Sequence, residues 1–171
     1  MKKNLIMWVI IFLFIISIIW TYHYVSNNGE FEKLTHVTVG KELLNERKVV
    51  YLCYRFRWEG IGNPSLEKVE FIKKDGTMIA KVDNQILIKP YISKIDCGTY
   101  HEEDAIKEGI VKTLLPVKGF KPDEEFSLVL RVELNDYEWN SDISSIRITY
   151  NKFGQSVFQN IPFDDGLITE E

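Results

Sequence analysis

Residues 50–58 read Val-Tyr-Leu-Cys-Tyr-Arg-Phe-Arg-Trp, and the alternation within them decides the fold class. Val50, Leu52, Tyr54, Phe56 and Trp58 fall on one face, and Tyr51, Cys53, Arg55 and Arg57 on the other. Side chains of a strand point to opposite faces in turn, so this pattern predicts a strand with one face in a core. The Gly-Ile-Gly-Asn-Pro run at 60–64 ends it as a loop.

Working outward, the same period recurs. Phe126, Leu128, Leu130, Val132 and Leu134 alternate with Ser127, Arg131 and Glu133, and Ile146, Ile148 and Tyr150 define a third apolar face. Segments 66–73 and 77–82 flank Asp75-Gly76, a strong hairpin signal. Residues 34–39, 85–93, 110–115 and 156–161 are further expected strands, with Pro90 marking an edge or a bulge. Between them, Thr99-Tyr-His-Glu102 fits a capping box, Glu103 and Asp104 suit a first helical turn, and Gly109 suits its end. One short helix is expected there, and a turn-rich connection at 116–125. About eight or nine short strands with regular turns predict a mainly β chain, an immunoglobulin-like antiparallel β-sandwich with one short helix. A partly open barrel is the alternative. The Cys–Trp–Cys arrangement of antibody-type domains is not met, because Trp58 shares a strand with Cys53 and Cys97 follows a loop. The likeness is architectural and carries no function.

The other organising stretch is 5–25, Leu-Ile-Met-Trp-Val-Ile-Ile-Phe-Leu-Phe-Ile-Ile-Ser-Ile-Ile-Trp-Thr-Tyr-His-Tyr-Val, which holds no Asp, Glu, Lys or Arg. As a helix it is about 32 Å long, enough for a bilayer core of about 30 Å. Lys2 and Lys3 precede it and no basic residue follows until Lys33, so the N-terminus is expected in the cytoplasm and the remainder outside. Trp8 and the group Trp20, Tyr22 and Tyr24 suit the two interfaces. The competing reading is a cleaved signal peptide, which has a shorter apolar core and a small-x-small site. Trp20 to Tyr24 are nearly all too large for such a site, which favours an uncleaved signal-anchor. A pilin-type leader fails for want of its small residue and its glutamate. No small-xxx-small pattern supports close helix pairing within the span. The expected division is 1–4 cytoplasmic, 5–25 transmembrane, 26–32 a polar stalk, 33–163 the extracytoplasmic β-sandwich and 164–171 an acidic, frayed tail.

All 25 acidic residues of the 171-residue chain lie beyond residue 29, against 19 Lys and Arg there, leaving −6 on the exported part. An acidic domain of this kind points away from nucleic acid and from anionic lipid as partners. Abundant Ile, Lys, Asn, Glu and Tyr beside few Ala suit an AT-rich, bacterial genome.

Cys53 and Cys97 are the two cysteines, and an exported location permits them to pair. Two separate thiols are the alternative. His101 lies beside Glu102, Glu103 and Asp104, but the position four after it is Ala105, so no HExxH zinc site forms. Asp136, Glu138, Asn140 and Asp142 alternate as oxygen ligands do in a calcium loop, yet Ser141 and Arg147 stand where that loop needs glycine and glutamate. Cys97 and His101 are a formal nucleophile–base pair, which a disulfide would abolish. GxSxG, Walker and CxxC motifs are absent from the sequence. No cofactor, metal or catalytic residue is therefore expected. Tyr137 and Trp139, large aromatics in an acidic loop, form the candidate interaction loop, against the plainer account that Trp139 plugs the end of the core.

The expectation is a membrane-anchored binding module for an envelope or membrane protein. An unrecognised envelope hydrolase would need two carboxylates converging in a cleft with separated pKa values. An assembly factor would act through its transmembrane helix.

Overall fold

Strand β3 (Val49–Glu59) contains the stretch 50–58 and pairs antiparallel along its length with β8 (Glu125–Leu134). The register sets Val50, Leu52, Tyr54 and Phe56 opposite Val132, Leu130, Leu128 and Phe126, and all eight side chains are buried. The structure is a computed structural model and describes residues 2–79, 85–95, 98–123, 125–135, 142–163 and 166–169.

β5 (Ile86–Ser93) lies on the far side of β8, followed by β7 (Leu115–Pro116). On the free edge of β3, β1 (Glu30–Lys33) pairs with one end and β6 (Tyr100–His101) with the other. The second sheet runs β10 (Gln155–Pro162), β9 (Ile143–Lys152), β4 (Ser65–Lys73). Leu66, Val69, Phe71, Ile146, Ile148, Tyr150 and Ile161 from this sheet meet the inner face of the first in one core. The fold is mainly β with antiparallel sheets, a short helical region and an N-terminal apolar helix, α1 (Lys2–Asn27).

Two contacts close the sheets together. The Gln159 side chain on β10 accepts from Phe31 N at 2.6 Å and donates to Phe31 O at 2.9 Å, standing in for a strand along β1. α2 (Lys41–Arg47) inserts the buried Leu44 into the core and ends at Lys48, whose φ is 59°.

Several elements differ from the expectation. The first strand is β1, which overlaps the end of the 26–32 segment expected as a stalk, because Phe31 packs on Trp58 at 4.9 Å; residues 34–38 are not strand. The Asp75-Gly76 turn is present, with the Asp75 carboxylate accepting from Thr77 N at 2.8 Å. Among the described residues its second arm is one bridge, Ile72 with Met78, beside which Ile79 N donates to Phe71 O at 2.9 Å; residues 80–84 are outside the described set. The capping box does not form. Thr99 is not the cap, His101 precedes α3 (Glu102–Lys107), and the Glu102 carboxylate goes to Arg131 at 2.9 Å instead of a helical N–H.

Gly109, at φ 75°, does end that helix, but of the expected strand 110–115 only Leu115 is in one, at the start of β7. α4 (Ile110–Thr113) follows, because Ile110 and Leu114 cover a second core on the outer face of the large sheet, with Tyr51, Cys53, Ala105 and Val129. Nor is the chain frayed throughout from residue 164. Gly166 to Thr169 are folded: Leu167 is fully buried, and β11 (Ile168–Thr169) pairs in parallel with β2 (Val39–Gly40).

Candidate functional site

Tyr137 and Trp139, the expected interaction loop, lie outside the described residues, as does Cys97. Cys53 is 3% exposed in the second core and is disulfide-bonded. His101 sits on β6 with its Nδ1 buried, beside the Glu102–Arg131 pair. Among the described residues no group of three or more His, Cys, Asp or Glu side chains is placed to hold a metal ion. Asp142, the last acidic residue of the calcium-like run, turns its carboxylate to backbone: Ile143 N donates at 2.7 Å and Leu167 N at 2.9 Å. Nearby, the Tyr54 hydroxyl donates to Val37 O at 2.5 Å. Burial first, then the charge of Asp142, holds that phenol well above the usual tyrosine range.

The fold brings two carboxylates together at Arg131. Its guanidinium donates to Glu102 at 2.9 Å and to Glu133 at 2.6 Å. Burial works against the charge of Arg131, but the hydrogen bonds to Glu133 and Glu102 outweigh it and hold the group charged above its ordinary range. This is a clamp fastening α3 to β8, and both carboxylates serve as acceptors in it. Glu125 is held below the usual carboxylate range mainly by its hydrogen bond from Arg57, with Arg55 also pairing at 2.7 Å. These exposed pairs contribute little to stability.

The most elaborate constellation lies where α1 meets the β domain. α1 carries a span, Ile6–Asn27, apolar and long enough to cross a membrane; it is exposed from Ile6 to Tyr24, and Ser26 near its end is buried against the β domain. Only Asn28 and Gly29 separate it from β1. The Tyr22 hydroxyl, on the helix, donates to Phe153 O at 2.8 Å, in the turn between β9 and β10. Lys152, 2% exposed, donates its ammonium to Asn28 O. α1 has no basic residue in its last turn, so Lys152 supplies the cation that the negative end of the helix dipole favours. Burial nevertheless pulls the Lys152 ammonium below the ordinary lysine range. The rings of Trp58 and Phe153 lie 5.2 and 5.6 Å from it, within cation–π reach.

Glycine makes the joint close. Gly29, at φ 121°, lies so near the Trp58 ring that a Cβ there would overlap it. Trp58 is fixed in turn by its indole N–H on Gly62 O at 2.7 Å and by ring contacts with Phe31 and Tyr150. A Cβ at Gly62 would meet the Phe153 ring at 2.7 Å, so the 60–63 loop and the 153–154 turn sit side by side.

The sequence shows the helix and the 60–64 loop, and its Phe153-Gly154 pair suits a turn, but it does not show their meeting. The local signal was an apolar residue among glycines in each, Gly60-Ile-Gly62 and Phe153-Gly154. Nothing in it names the helix as neighbour. No protein-family model, no curated protein and no solved structure matches the chain.

Proposed function

We propose that the chain is a single-pass, membrane-anchored binding module, with its N-terminus cytoplasmic and its β domain on the extracytoplasmic side. The observation that carries this reading is α1: one helix of spanning length and apolarity, exposed from Ile6 to Tyr24 and fastened to the β domain at its end. Lys2 and Lys3 on the short side support the orientation.

The domain itself is an immunoglobulin-like sandwich in this reading. Two antiparallel sheets share a core, and the chain passes between them from β3 to β4, β4 to β5 and β8 to β9. A binding role is favoured over hydrolysis because, among the described residues, the carboxylates that converge do so on guanidinium groups, Glu102 and Glu133 on Arg131 and Glu32, Glu59 and Glu125 on Arg57. Its partner is an envelope or membrane protein, contacted through the loop carrying Tyr137 and Trp139. The disulfide of Cys53 is, in this reading, with Cys97, the other cysteine of the sequence.

Two experiments test this. Alkaline extraction of membranes should leave the protein in the pellet, and protease added outside intact spheroplasts should digest the C-terminal domain. Release by alkali, or protection of the domain, overturns the anchored topology. In-membrane cross-linking beside Trp139→Ala should capture one recurrent partner that the variant loses; a partner retained by the variant retires the loop.

A further inference from the structure

We propose that the turn between β9 and β10, with Phe153 at its tip, is a second membrane contact that lays one end of the β domain on the lipid leaflet from which α1 emerges. The inference rests on α1 spanning a bilayer, and depth follows from the helix. The window Ile6–Asn27 has 22 residues, and Tyr22 lies five before its end. At about 1.5 Å per residue, Tyr22 is about 7.5 Å inward from that end. The polar layer on each side of the hydrocarbon is roughly 5–7.5 Å thick, so the Tyr22 ring reaches the boundary between headgroups and acyl chains. Amphipathic rings favour that level.

The Tyr22 hydroxyl is donated to Phe153 O at 2.8 Å, which places the turn at the same depth. A domain merely tethered above the membrane would not reach it. What the domain offers there is apolar: Phe153 and Ile61, on adjoining loops, are each 49% exposed. Between the turn and the helix runs an open groove of about 380 Å³, lined by Ser17, Ile18, Thr21, Tyr22, Val25 and Phe153. The Thr21 hydroxyl donates to Ser17 O at 2.9 Å, so this polar group is satisfied within the helix. Ser17 and Ile18 lie deeper in the span than Tyr22, so the groove opens into the hydrocarbon layer. Its occupant is an acyl chain of a phospholipid in that leaflet.

The headgroup need not be anionic. Lys152, the cation nearest the turn, is buried, and Glu59 beside the 60–63 loop is exposed. The contact is made by apolar insertion, so zwitterionic lipid suffices.

The test uses the full chain in phosphatidylcholine vesicles, with a nitroxide on Phe153→Cys, Ile61→Cys, Leu13→Cys or Phe158→Cys in turn. Wild-type protein labelled identically supplies the background. Collision with oxygen, which partitions into lipid, is compared with collision with a water-soluble nickel chelate. Phe158, five residues from Phe153 and exposed on β10, reports water. Positions 153 and 61 should show several-fold less nickel collision than 158, with oxygen collision raised. If position 13 is shielded while 153 and 61 match 158, the second contact is wrong and the anchor stands. If position 13 is itself open to nickel, the anchor fails and the second contact with it.

Discussion

Replacing Asp142 with Asn removes one charge from the place where the C-terminal segment is fastened. The carboxylate accepts from Ile143 N at 2.7 Å, from Leu167 N at 2.9 and 3.0 Å and from Ile168 N at 3.4 Å. Successive N–H groups after Gly166, at φ 71°, converge on it as they do in an anion-binding nest. Asn keeps the size but turns an NH2 toward one of those donors. A hydrogen bond to a charged group contributes about 1.5–3 kcal/mol, and a buried unpaired N–H costs about 1–3 kcal/mol. The expected loss for D142N is therefore about 2–4 kcal/mol. If residues 166–169 detach instead, Leu167 loses its burial, itself worth about 1.5–3 kcal/mol, so the two routes are of similar size.

Hydrogen exchange read by mass spectrometry, beside denaturant unfolding of the full chain in micelles, measures both. The midpoint should fall, and Leu167, Ile168 and Val39, whose N–H donates to Leu167 O at 3.0 Å, should lose protection. Gly166→Ala should do the same by overlap with the carboxylate, with the charge intact. Unchanged protection and midpoint in D142N would refute the fastening role.

Other outcomes follow from the same structure. Alkylation of native protein under non-reducing conditions should label neither cysteine, and reduction of a bridge closing roughly 44 residues should cost up to about 4 kcal/mol; two labelled thiols end the Cys53–Cys97 pairing. The folded-state pKa of Lys152 is depressed, so below the unfolded value of about 10.4 the unfolded chain binds more protons and stability rises with pH. The difference in urea midpoint between wild type and Lys152→Met should widen in favour of wild type from pH 8 to pH 10, and a constant difference contradicts it. Gln159→Leu, which leaves both Phe31 N and Phe31 O without the side-chain amide, should lower stability by about 2–4 kcal/mol in the same assay. Calcium followed by chelator should leave the thermal midpoint unmoved, and a reversible rise would show that Asp142 is not committed to backbone.

The strands that were legible in the sequence are those with an unbroken apolar face, although the second core also buries Tyr51, Cys53 and Val129 on the opposite face of β3 and β8. β3, β8 and β9 alternate because one side of each lies in the shared core, and that constraint is written locally at every second residue. α1 was legible for a similar reason, since from Ile6 to Trp20 it is apolar on every side except at Ser17. What escaped was set by distant partners. Residues 26–32 are polar enough for a stalk, yet Trp58 and Gln159 draw Glu30–Lys33 into the sheet. Glu102 has the spacing of a cap, but Arg131 offers a charged partner that a helical N–H does not match. Leu167 follows Asp164-Asp165-Gly166 in sequence, and only the placement of Asp142, 25 positions earlier, reveals why it is buried. The membrane-side joint depends on Tyr22 meeting Phe153 across 131 positions, which no local pattern encodes.

The two-residue passage from α1 to β1 also sets a compass bearing. Each helical residue turns its successor by about 100°, and Asn28 with Gly29 leaves little room to unwind that angle. The side of α1 that faces a neighbour in the bilayer therefore dictates which sheet faces that neighbour outside. Adding one residue within the last turn of α1 would swing the domain by more than a quarter circle, and a partner gripping both helix and domain would lose one of them.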